Sequence, residues 1–249
     1  SVTSLNESDR VRLWEALKDI ALKHRKFADA QWAMPAERVA KIEEVAAKLA
    51  PASLELISRR LFTERDFDLY DDKENFEEQQ KRLDGIRQDA IKAILSANGM
   101  EGVVRFAQGV ESPRKVGEAL GAIEDPSADA FLLPAFLGKT EREISQFLGS
   151  FVWRRFWAQK WTWVDQQLSQ GWQKEQLLAF LLLIPSERET WHRVERILGK
   201  AVDTYWKQVW FNPWGVEAAD LVEAAEKLAS NGQPTAAINC LYILAHKKM

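Results

Sequence analysis

Apolar residues in this chain recur at intervals of three and four, and prolines or small polar residues stand at the head of one such segment after another. That spacing places apolar side chains on one face of an α-helix, so each segment must bury a stripe against a neighbour. Val11, Trp14, Leu17, Ile20, Ala21 and His24 share one face of a helix predicted over Ser8–Phe27. Pro35 opens a second, carrying Val39, Ile42, Val45, Ala46 and Leu49, and Pro51 stops it. A short third helix holds Leu54, Ile57 and Leu61, and Thr63 to Asn75 reads as an acidic loop. A long helix from Glu74 to Asn98 closes at Gly99, and shorter ones follow over Gly102–Gln108, Pro113–Ile123 and Pro126–Leu137. Thr140 with Glu143, and Ser186 with Glu189, have the spacing of capping boxes and are expected to open further helices. Strand signals are sparse. No Asn-Gly or Asp-Gly pair sits between alternating apolar runs, and Asp84–Gly85 lies inside a charged helical pattern.

The expected fold is therefore all-α: roughly a dozen helices stacked as an irregular array of antiparallel hairpins, either an α-solenoid or a compact bundle. At 249 residues with 46% hydrophobic and 29% charged side chains, the chain has the composition of a globular protein. A division near Gly138–Lys139 is expected, with residues 1–138 an N-terminal array and 139–249 a Trp-rich one. The formal net charge of -3 argues against a dedicated nucleic-acid binder, which needs an excess of Lys and Arg. Cys240 is the only cysteine, so no internal disulfide can form, and a cytoplasmic location is expected. The longest apolar run, Leu177 to Ile184, is far shorter than the roughly 20 residues of a membrane-spanning helix. Because the chain begins at Ser1 without an initiator Met, it is expected to be a segment of a larger protein.

The last two helices are the clearest. Ala218, Leu221, Val222, Ala225, Leu228 and Ala229 make one stripe, ended by Asn231–Gly232. Pro234 starts a partner helix with Ala237, Ile238, Leu241, Leu244 and Ala245. So short a connection forces the two to lie antiparallel. This segment resembles a degenerate tetratricopeptide repeat: Ala225 takes the small-residue position, Gly232 the turn, and Ala237–Ile238 the small-then-apolar pair. Leu228 stands where an aromatic is usual, Pro234 replaces another, and no closing proline is present. The rest of the array would be irregular, HEAT-like pairs. The run Tyr205–Trp206, Leu221 to Gly232 and Pro234 to Leu241 is also similar to helical regions of large bacterial NTPase-linked sensor or defence proteins. That resemblance implies a segment that detects a ligand or partner while another domain carries the NTPase.

Nine of the eleven tryptophans lie between Trp153 and Trp214. Each buries ~150–250 Å² when it enters a core, worth about 4–6 kcal/mol gross. Most are therefore expected inside. Trp153, Trp157, Trp161, Val164 and Leu168 read as one inward stripe, extended backward by Phe151 and Phe147. Trp163, Trp210 and Trp214 fall off that stripe, and Arg154, Arg155 and Lys160 share its helix. Aromatic and basic residues together make interface anchors. These six are the candidate partner-binding residues, for a protein or for other domains of the parent chain.

Catalytic signatures are few. There is no glycine-rich phosphate loop. The acids Asp66, Asp68, Asp71, Asp72 and Glu74 lack the sixth-position glycine of an EF-hand, which falls on Asp71. Asp71–Asp72–Lys73–Glu74–Asn75 approaches the aspartate-rich motif of class I terpene synthases without its last acid. His24, His192 and His246 are unpaired in sequence and are expected to pack or to face solvent. No cofactor and no metal are expected. The leading expectation is a non-catalytic interaction module. The alternatives are an all-helical Mg²⁺-dependent enzyme using Asp66–Glu78, and a weak nucleic-acid binder using Arg154, Arg155 and Trp163.

Overall fold

The computed structural model describes residues 6–66, 69 and 75–247. Among the described residues there are twelve α-helices, linked by turns and short 3-10 segments, and no strand. The all-α class read from the spacing is the class observed. Asp68, Asp71, Asp72 and Glu74 of the acidic segment lie outside the described residues.

The chain forms two compact units, Ser1–Ile123 and Glu124–Met249. The division falls before the helix that was expected to close the first half, not after it at Gly138–Lys139. The reason is a buried ion pair: Arg155 donates to Asp129 and to the Asp125 carbonyl, tying that helix to the one that follows.

In the first unit, α1 (Glu7–Lys26) and α2 (Ala36–Leu49) pack as a hairpin around Trp14, Ala46 and Leu49. Asn6 caps α1 by accepting the Asp9 N–H at 2.8 Å. Lys23, His24, Arg25 and Lys26 sit at the negative end of its dipole. Arg10 donates to the carbonyls of Leu49 at 3.2 Å and Ala50 at 2.7 Å, satisfying the free end of α2 and holding the two helices antiparallel. His24 accepts the Met34 N–H through Nδ1 at 3.0 Å, a structural task.

The short α3 (Leu54–Ser58) leads toward α4 (Phe76–Gly109) and α5 (Pro113–Gly121). Two helices expected to flank Gly99 are one kinked element: the chain passes through Gly99 at φ 66°, ψ -173°, a conformation natural only to glycine, and resumes. Phe62 meets Phe106 edge-on at 5.2 Å, and the Ser112 N–H donates to the Phe62 carbonyl at 2.9 Å.

The second unit contains α6 (Pro126–Phe136), α7 (Arg142–Leu168), α8 (Lys174–Leu181), α9 (Arg188–Leu198), α10 (Val202–Trp206), α11 (Ala218–Ser230) and α12 (Pro234–Lys247). Trp191, Tyr205, Trp206, Leu221, Leu228, Cys240 and Ile243 share one core of this unit. The α11–α12 hairpin turns at Gly232, φ +82°, where the Gln233 N–H returns to the Leu228 carbonyl at 2.9 Å. Lys227 faces Glu195 at 3.7 Å and Arg188 faces Glu223 at 3.3 Å, stacking α11 on α9.

Neither expected capping box forms. Glu141 and Glu187 stand at the N-caps of α7 and α9 without a side-chain bond. The Ser186 hydroxyl instead accepts from the Trp191 indole and the Tyr205 hydroxyl, both at 3.0 Å. Two buried aromatic polar groups outcompeted the cap, because leaving either unpaired in the core would cost more than a lost cap.

Candidate aromatic interaction surfaces

Helix phase decides which aromatics of α7 are buried. Successive residues advance by 100°, so Trp153 stands 200° from Phe151, nearly opposite it. The buried face is Ile144, Phe147, Leu148, Phe151, Val152, Arg155 and Phe156. Trp153 and Trp157 are consequently exposed, not the inward stripe expected of them. The expectation joined two faces that do not align.

Arg155 holds a core position and is only 2% exposed, so it presents no surface to a partner. Its Nε donates to Asp129 at 3.1 Å, its Nη2 to the Asp125 carbonyl at 2.7 Å, and its guanidinium lies 5.3 Å from the Phe151 ring centre. Burial pushes the Asp129 carboxyl above its usual range, against the charge of Arg155. The buried Trp163 indole N–H favours the anion too, though it makes no hydrogen bond of ordinary geometry.

Trp163 is also a core residue, packed on Phe180 at 5.5 Å. It lies seven residues beyond Phe156, about 20° round the helix, and so continues the buried face past the kink at Lys160, φ 54°, ψ -143°, with Val164 and Gln167 buried beside it. Lys160 is the one non-glycine residue with positive φ among the described residues. Its ammonium sits 3.4 Å from the centre of the Trp157 ring, and Trp157 meets Trp153 at 5.6 Å. Arg154 is exposed beside them. Trp161, half-buried, stacks under the Arg193 guanidinium at 4.2 Å. Arg193 is held in turn by two 2.7 Å bonds to Asp165 and one of 3.0 Å to Glu189. Those bonds keep the Asp165 carboxyl below its ordinary range.

The second surface is a strap between α10 and α11. Val209, Phe211 and Pro213 are buried, while Trp210, Asn212 and Trp214 face out. From Val209 to Asn212 the chain is non-helical and its residues alternate in and out with a period of two, leading into the 3-10 turn Pro213–Gly215. Trp210 is 79% exposed and Trp214 68%. The strap is pinned from behind: Gln233 donates to the carbonyls of Trp206 at 2.7 Å and Val209 at 3.1 Å. Asn212 accepts the Trp214 N–H at 3.2 Å, and Lys247 donates to the Val216 carbonyl at 2.5 Å.

Of the six candidate residues, Arg154, Lys160, Trp210 and Trp214 are exposed, and Arg155 and Trp163 belong to the fold. Asp66, at the start of the acidic segment, is engaged in the first unit. It accepts from Arg87 and, at 2.6 Å, from Lys115, so its charge is already matched. Among the described residues no group of three or more His, Cys, Asp or Glu could hold a metal ion. No helix of the described residues is long and apolar enough to cross a membrane. Compared with known protein families, curated proteins and solved structures, the chain matches none.

Proposed function

We propose that this chain is a non-catalytic helical-repeat interaction module of a larger bacterial protein. Its partner is another protein or other domains of the same parent chain. The observation that carries this reading is the strap, which holds Trp210 and Trp214 out in water while its alternate residues are locked in the core. Tryptophan is among the residues most enriched at binding hot spots, and a side chain held in place beforehand loses little entropy on binding. The Trp153–Trp157 pair with Lys160 and Arg154 supplies a second surface of the same composition. The α11–α12 hairpin, with Gly232 at its turn and Leu228 and Ala237 inward, supports the tetratricopeptide-like description of that end. Stacked hairpins present extended surfaces, which is the use the architecture favours.

Affinity capture from lysate of the source organism tests the reading with wild type, Trp210→Ala/Trp214→Ala and Trp153→Ala/Trp157→Ala. The expected result is a specific protein retained by wild type and lost by at least the first variant, at equal thermal stability. Retention of the same proteins by all three would refute it. Charge reversal at Arg155 is not a suitable probe, because it breaks a buried ion pair and tests stability instead.

A further inference from the structure

Helix α12 carries no Asp, Glu, Lys, Arg or His from Pro234 to Ala245. Ala237, Cys240 and Ile243 face the core. Ile238, Leu241 and Tyr242 lie on another face, each more than half exposed, and Ala245 continues that stripe. An apolar stripe opposite a buried one is normally covered by a neighbour, yet this one is open. On α11, the face turned away from the Arg188 and Lys227 ion pairs holds exposed Val222 and Glu226. Together the two helices expose a face roughly 20 Å long, from 14 residues at 1.5 Å each, and about 20 Å wide at ~10 Å per helix. That is about 400 Å², half of one side of a standard interface, the size of a weak, concentration-dependent contact.

We infer that this face binds the same face of a second copy of the chain, with the two α12 helices antiparallel about a twofold axis. Three features select a second copy as the occupant. A twofold contact sets a surface against itself, so like charges at its centre would repel; this stripe has none. An axis passing between Leu241 and Tyr242 sets Leu241 against the partner's Tyr242, aliphatic on aromatic, and Ile238 against the partner's Ala245, large against small. The ends are also complementary. Glu226 lies beside the first half of the stripe, because the turn at Gly232 folds α11 back along α12, while His246 and Lys247 close the second half. Reversal about the axis brings acid toward base, and the helix dipoles oppose. This inference does not rest on the tryptophan strap.

Sedimentation equilibrium on the 249-residue chain, from about 1 to 500 µM, the range that spans weak dimers, tests it. Wild type is expected to pass from 28.5 kDa toward twice that mass. Ile238→Glu should weaken the dimer at least tenfold while leaving the circular dichroism and melting temperature unchanged, since the side chain is exposed. Adding Ala245→Lys to Ile238→Glu should restore association, because the register sets each new acid against the partner's new base. A wild type that stays at 28.5 kDa throughout would overturn the inference. So would a dimer indifferent to Ile238→Glu, and failure of the double variant to recover would overturn the register.

Discussion

Arg155 is the residue on which the second unit's packing turns. Its charge is buried with Asp129, and removing one partner strands the other away from water. Asp129→Ala is expected to destabilise by ~3–5 kcal/mol, the usual cost of breaking a buried pair. Arg155→Met with Asp129→Leu should recover most of that loss, and urea denaturation of the three proteins checks both. Asp66 makes a parallel case with an acid signature. Burial opposes its ionisation, but Arg87 and Lys115 outweigh that and hold its carboxyl below the ordinary value. A carboxyl lowered in the folded state contributes stability that is present above the unfolded value of ~3.9 and is lost as pH falls through the folded one. Thermal melts between pH 7 and 2 should show that loss in wild type. Asp66→Asn should melt lower at neutral pH and lack this component of the acid loss.

Among the elements, α7 is where the sequence was hardest to read. Its inward face includes an arginine, and no count of apolar residues assigns Arg155 to a core without knowing that Asp129 lies opposite. It then kinks at Lys160, whose backbone lies where only glycine is at ease. The strap was easier: Trp210 and Trp214 fall off the tryptophan stripe in the sequence, and both are exposed because residues from Val209 alternate in and out with a period of two. The bounds of α2, α5, α11 and α12 also follow the sequence closely, since a proline or a glycine marks an end of each. The inward face of α12 is nevertheless Ala237, Cys240 and Ile243, and the expected stripe through Ile238, Leu241 and Ala245 is exposed. The strain at Lys160 makes a prediction of its own. Lys160→Gly should relieve ~1–3 kcal/mol of backbone strain and forfeit ~0.5–1 kcal/mol of contact with Trp157. A net gain, read as a raised melting temperature, is expected.

At the scale of the molecule, both units expose aromatic side chains, Trp32 and Phe76 in the first among them. In the second, large aromatic side chains stay in water at Trp153, Trp157, Trp210 and Trp214, while Trp163, Trp191 and Trp206 build the interior. The all-α class was legible because helical spacing is local. The choice of which tryptophans to bury was not, because it depends on residues distant in sequence: Asp129, Phe180, Ser186 and Gln233. The proposed contact with a partner is made by the exposed tryptophans of the strap. Oxidative footprinting of tryptophan, read residue by residue by mass spectrometry in the free chain and in its captured complex, addresses that claim most directly. The account predicts that Trp210 and Trp214 oxidise readily when free and are protected severalfold in the complex, while Trp163, Trp191 and Trp206 are protected in both. Oxidation of Trp210 and Trp214 that is the same in both states would contradict it.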